Sequence, residues 1–180
     1  MRSFIAVEMQ AEGIKEIQNQ LRSANADIKF VEPENLHLTL KFLGEIREDL
    51  VDNIHNIMKE SFKGIKGFEV HLKGVGVFPN PRHIRVVWVG MEENKELLIK
   101  MQERLEENIS KLGFRKEKRF EPHLTIGRVK SGRNKDRLAE IIASMNDIEI
   151  GMIKVGRVLL KKSVLTPKGP IYTTLREVGL

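Results

Sequence analysis

The chain has 180 residues, 41% of them hydrophobic and 31% charged, with a net charge of +6 and no cysteine. That is enough apolar material for one sizeable core, and zero cysteines exclude disulfides, thiol nucleophiles and thiolate metal sites. No apolar run is long enough to span a bilayer, and Glu8 and Glu12 interrupt any signal-peptide pattern, so a cytoplasmic protein is expected.

The segment Phe4–Val7 reads as a first strand, and Ile14, Ile17 and Leu21 fall at helical spacing across 12–24. Residues 28–31 form a short strand ended by Pro33, and a strand through Leu36–Phe42 closes at Gly44. Leu50, Val51, Ile54, Ile57, Met58 and Phe62 share one helical face over 47–62. The stretches 68–77 and 84–89 alternate around Phe78-Pro79-Asn80-Pro81-Arg82 and predict a hairpin. The longest helix is expected over 92–112, stopped by Gly113. A second motif strand follows, then a helix near 135–145, and closing strands over 148–161 and 171–177 flank a Pro167-Lys168-Gly169 turn. Mixed helices and antiparallel strands predict an α+β fold. No Ser/Gly/Pro-rich linker divides residues 1–180, which are read as one domain.

His37-Leu38-Thr39-Leu40 returns as His123-Leu124-Thr125-Ile126. With five His and five Thr in the chain, a His-x-Thr triplet is expected by chance about 0.14 times, so two copies carry information. On a strand, His37 and Thr39 share a face opposite Leu38 and Leu40, and His123 and Thr125 do the same. Each copy offers an imidazole that can accept or donate a proton near neutral pH, and a hydroxyl that can donate to an anionic oxygen. Two such pairs facing one another would cradle a phosphate. A single strand His beside a Thr is ordinarily a surface or satisfied core residue; the repetition argues otherwise. Two His could also ligate zinc, but no third ligand at a suitable spacing is evident.

The flanks extend the pattern. Val31-Glu32-Pro33-Glu34-Asn35 precedes the first copy and Lys41-Phe42-Leu43-Gly44-Glu45 follows it. Phe120-Glu121-Pro122 and Gly127-Arg128 enclose the second. With Gly76-Val77-Phe78-Pro79, Arg85–Gly90 and Ser163–Tyr172, these segments resemble the two-histidine phosphoesterase superfamily, and within it the RNA 2′,3′-cyclic phosphodiesterases, also called 2′-5′ RNA ligases. The resemblance runs almost end to end. It implies two pseudo-symmetric lobes, each an antiparallel sheet with flanking helices, around a central cleft holding both motifs. It implies hydrolysis of 2′,3′-cyclic phosphate ends of RNA to 2′-phosphomonoesters, with reverse 2′-5′ ligation as a weak second activity. His37 would be the proton donor and His123 the acceptor, an order the two near-equivalent copies do not themselves fix. Thr39 and Thr125 would bind phosphate. No cofactor or metal is expected, no membrane, and no second subunit. The rival reading is a non-catalytic module that captures RNA ends.

Four basic residues are candidate substrate contacts. By parity Lys41 lies on the face of His37 and Thr39. Arg128 lies on the opposite face from His123, and reaches the site only if the strand bulges or ends near Gly127. Arg82 and Arg85 flank the central hairpin. The aromatics Phe42, Phe78, Trp88 and Phe120 are expected to pack in the core, Phe42 by its parity with Leu38 and Leu40. His55, His71 and His83 have no matched partner and read as surface residues.

Overall fold

The computed structural model describes residues 1–180. In chain order the elements are β1 (Arg2–Glu8), α1 (Glu12–Arg22), β2 (Ile28–Phe30), β3 (His37–Glu45), α2 (Val51–Phe62), β4 (Phe68–Asn80), β5 (His83–Met91), α3 (Lys95–Ile109), β6 (Leu124–Val129), α4 (Lys135–Ala143), β7 (Glu149–Val155), β8 (Arg157–Thr166) and β9 (Gly169–Gly179). The strands make two sheets, ordered β3-β1-β8-β9 and β2-β6-β5-β4-β7. Every pairing is antiparallel. The two orders correspond strand for strand, from motif strand outward, with β2 added beside the second motif strand. The fold is α+β with two pseudo-symmetric lobes.

The lobes are interwoven. β4 follows α2 in the chain but pairs in the second sheet, and β8 follows β7 but pairs in the first. The helices exchange too: α1 packs against α4, β6 and β7, while α3 packs against α2 and β3. In α1 this follows from its apolar stripe of Ile14, Ile17 and Leu21, which is fully buried together with Gln18. The result is one cluster of 35 buried hydrophobic residues that joins Leu38 and Leu40 of one motif to Leu124 and Ile126 of the other.

Two boundaries depart from the sequence pattern. The run 148–161, expected as one strand, is β7 and β8, broken at Gly156, because β7 pairs with β4 and β8 with β1 across the two lobes. The long helix ends at Ile109 and tightens into a 3₁₀ turn over Ser110–Leu112 before Gly113, whose φ of 90° ends the helix in the left-handed region. No helix is long and apolar enough to cross a membrane.

Shared elements and a common core predict that neither lobe unfolds alone. Trp88, the only tryptophan, reports on the second sheet, and far-ultraviolet circular dichroism reports on both. Their thermal transitions should coincide; a separate Trp88 transition would show independent lobes.

Candidate active site

Each motif carries the same local distortion. In β3, Lys41 faces Ile5 and Thr39 faces Ala6, so Leu40 is an extra residue in the ladder. In β6, Gly127 faces Val87 and Thr125 faces Trp88, so Ile126 is the extra residue. A bulge of this kind reverses side-chain parity beyond it. His37 and Thr39 therefore line the cleft, Leu40 and Lys41 both turn inward, and Phe42 returns to the cleft at 67% exposure. His123 and Thr125 line the same cleft, Ile126 and Gly127 are buried, and Arg128 emerges beside them. The bulged Ile126 does not lose its carbonyl bond: the buried Gln18 amide donates to it at 3.0 Å and the Val31 N–H at 3.0 Å.

The bulges correct two sequence expectations and meet the condition set for a third. Lys41 is no substrate contact. It is 2% exposed, and its ammonium donates to the Arg115 carbonyl at 2.7 Å and pairs with Glu106 at 2.8 Å. Phe42 is not core. Arg128 does reach the cleft, by the bulge its parity required. Arg82 and Arg85 stay at the tip of the β4–β5 hairpin. There the Arg82 N–H donates to Asn80 at 2.9 Å and the Arg85 guanidinium donates to His83 at 3.0 Å. Neither lines the cleft.

Both imidazoles are held alike. The His37 Nδ1–H donates to the Asn35 carbonyl at 2.6 Å, and the His123 Nδ1–H to the Glu121 carbonyl at 2.7 Å. A carbonyl only accepts, so each Nδ1 carries the proton and each Nε2 is left to the cleft. Each ring also has an aromatic pair beside it. Phe4 and Tyr172 lie 4.9 and 5.3 Å from His37, and Phe78 and Trp88 lie 5.0 and 6.3 Å from His123, between ring centres. The Trp88 indole lies over Gly76, where a Cβ would come within 2.3 Å of the ring, so a side chain is excluded there. A central cavity of about 280 Å³ holds both His and both Thr together with Arg119, Phe120 and Arg128. Sequence reasoning missed Phe4, Tyr172, Gln18 and Arg119. Only Phe4 and Tyr172 offered a signal, by lying in the family-like segments Arg2–Val7 and Ser163–Tyr172.

Electrostatics distinguish the two imidazoles. Burial holds His37 below the usual imidazole range. The Asn35 carbonyl opposes this, the positive charges of Lys161 and Arg128 add to it, and Glu8 opposes it again. Glu8 stands directly across the ladder from His37 and accepts from the buried Lys161 at 2.6 Å. Burial also pushes the Tyr172 phenol up, against Arg128 and Arg2, so it stays a neutral hydrogen-bond donor near neutral pH. His71 pairs with Glu149, and His55 meets the Glu177 carbonyl at 2.9 Å, both away from the cleft. No group of three His, Asp or Glu side chains is gathered anywhere in a form that could hold a metal ion.

A model of the LigT-like phosphoesterases matches the chain twice, over residues 5–88 and 89–172. The chain belongs to that family. The two matches divide the chain at the middle of β5, one motif to each half. The chain is 48% identical to a Methanothermobacter thermautotrophicus protein named RNA 2′,3′-cyclic phosphodiesterase, over 100% of this chain and 99% of that one. It is 41% identical to a protein of the same name from Methanocaldococcus jannaschii, over 98% and 99%. A crystal structure of a Thermus thermophilus protein superposes with a TM-score of 0.78 at 27% identity, covering 100% of this chain and 98% of that one.

Two outcomes follow from this site. Lys41→Ala leaves Glu106, only 7% exposed, without its ammonium partner. Denaturant unfolding should show a loss of about 3–5 kcal/mol, largely recovered in Lys41→Met/Glu106→Gln; an unchanged midpoint in the single variant would contradict the pairing. His37 has a native pKa below its unfolded value of about 6.5. The unfolded chain therefore binds that proton more readily. The corresponding stability is present above about pH 6.5 and is lost as pH falls through the native value. The acid-side fall in urea midpoint should be shallower in His37→Gln; an equal or steeper fall would contradict the assignment.

Proposed function

We propose that the chain hydrolyses 2′,3′-cyclic phosphate ends of RNA, leaving a 2′-phosphomonoester and a free 3′-hydroxyl. The observation that carries this is the pair of Nδ1-tethered imidazoles with two hydroxyls and Arg128 around one small cavity, in a chain 48% identical to a protein named for this reaction. Water attacks phosphorus in line with the P–O3′ bond. As the new P–O bond forms, His123 Nε2 takes the water's proton. As P–O3′ breaks, His37 gives its Nε2 proton to O3′. Exchange with solvent resets both rings. Thr39 and Thr125 donate to the non-bridging oxygens, and Arg128 offsets the charge that gathers on them. Holding the reactants in this geometry removes most of the entropic barrier.

His37 must be protonated to act as the acid, yet burial in the free cleft favours its neutral form. The bound phosphodiester supplies the missing anion, which favours the cation at short range. Substrate binding thus charges the acid it will use. Ligation follows from reversibility: a 5′-hydroxyl that takes the place of water would give a 2′-5′ linkage at the same site.

His37→Ala and His123→Ala should each lower turnover of an RNA ending in a 2′,3′-cyclic phosphate by about 10²–10⁴-fold, with the double variant scarcely worse. The rate should be bell-shaped in pH, because one ring must be neutral while the other is protonated. Near-wild-type turnover in either single variant would contradict the two-imidazole mechanism. Binding of such an RNA without any turnover by the unaltered protein would instead favour the RNA-end binding module. Turnover should also survive excess EDTA after dialysis; loss on chelation, restored by Zn²⁺ or Mn²⁺, would replace this mechanism with a metal-bound hydroxide.

A further inference from the structure

The two imidazoles open onto different grooves. Beside His37 is a groove of about 950 Å³ between β2 and the β8–β9 hairpin. It is lined by Arg2, Lys29, Lys130 and Lys168 in addition to Arg128, against two carboxylates, Glu32 and Glu34. None of these cations forms an ion pair within the protein, although nine other basic groups do. Its apolar lining includes Phe42 and Leu165, 67% and 66% exposed. Beside His123 is a groove of about 840 Å³ at the free stretch of β4, lined by Lys73 and Lys95 against Glu92 and Glu121. There both cations are already paired: Lys73 with Glu92 at 3.9 Å and Glu149 at 3.6 Å, Lys95 with Glu121 at 3.2 Å.

This asymmetry orients the substrate. In a 2′,3′-cyclic phosphate both ester oxygens belong to the terminal ribose. An in-line attack puts water on one side of phosphorus and the departing O3′, with its ribose and the attached chain, on the other. The chain brings a phosphate with each further nucleotide, and unpaired cations attract it most where no carboxylate already neutralises them. Exposed apolar side chains add contact with the faces of unpaired bases. Only the groove beside His37 combines both features. We propose that the RNA chain on the 5′ side of the cyclic phosphate lies in this groove, its phosphates on Arg2, Lys29, Lys130 and Lys168 and its bases against Phe42 and Leu165. This rests on the hydrolase reading above. It places the leaving O3′ beside His37, which is therefore the acid, and leaves the charge-balanced groove beside His123 to the attacking water.

The test compares two substrates. Lys29→Gln/Lys130→Gln/Lys168→Gln keeps three long polar side chains and removes three charges, none of them in the acid–base machinery. On a tetranucleotide ending in a 2′,3′-cyclic phosphate, kcat/KM should fall at least about tenfold, and its log–log dependence on salt should become shallower by about 2, near 0.7 per contact on a single strand. On 2′,3′-cyclic AMP, which has no upstream phosphate, kcat/KM should stay within about twofold. Lys73→Gln/Lys95→Gln should leave both substrates unchanged. An unaltered rate on the tetranucleotide, an equal loss on both substrates, or a comparable loss from the Lys73/Lys95 variant would overturn the path. Failure of the unaltered enzyme to turn over either substrate would overturn the hydrolase reading, and the path with it.

Discussion

The site depends on one local arrangement used twice: an imidazole tethered by Nδ1 to the carbonyl two residues upstream, followed after three residues by a bulge. The tether fixes the tautomer and aims Nε2 at the cleft. The bulge lets one strand serve both the cleft and the core. Up to the Thr it presents polar groups to the cleft and leucines to the core. Beyond it, two consecutive residues face inward, and the sixth residue of the motif returns to the cleft. Without the bulge, Arg128 would be turned away from the cleft and Lys41 would lose its buried partner Glu106.

The repeat supplies matched geometry, and its two copies differ at the positions around the imidazoles. The same sixth position is Phe42 in one lobe and Arg128 in the other, an apolar surface against a cation. The fifth is Lys41, anchored to α3, or Gly127, where a Cβ would meet Ile28 of β2 at 2.9 Å. The added strand β2 lies only on the second sheet, and with the β8–β9 hairpin it walls the basic groove. A symmetric pair of imidazoles is thus embedded in an asymmetric field. In the proposed reaction, that asymmetry is what makes one imidazole the acid and the other the base.

The alternating text of the motif strands made the His and Thr positions legible in the sequence, as did the helical stripes of α1 to α4 and the hairpin flanks of β4 and β5. The parity of Lys41 and Phe42 was not legible. Nothing in Leu-His-Leu-Thr-Leu-Lys-Phe marks Leu40 as a bulge, because the bulge is set by pairing with β1, a long-range contact. Phe4 and Tyr172 were missed for a related reason: they reach His37 only because β1 and β9 lie in its sheet. The break at Gly156 between β7 and β8 depends on which sheet each half joins, and strand propensity does not register that choice. The basic groove gathers Arg2, Lys29, Lys130 and Lys168 from four separate segments. In sequence they are only scattered surface charges.

The central claim is that two imidazoles, without a metal ion, move the protons as water attacks the phosphorus and O3′ departs. It is tested most directly by incubating an RNA ending in a 2′,3′-cyclic phosphate with the enzyme in ¹⁸O-water and chelator, and following the product by ³¹P NMR. The account predicts a single 2′-phosphomonoester bearing one ¹⁸O atom. A 3′-phosphomonoester, or a product without the label, would contradict it.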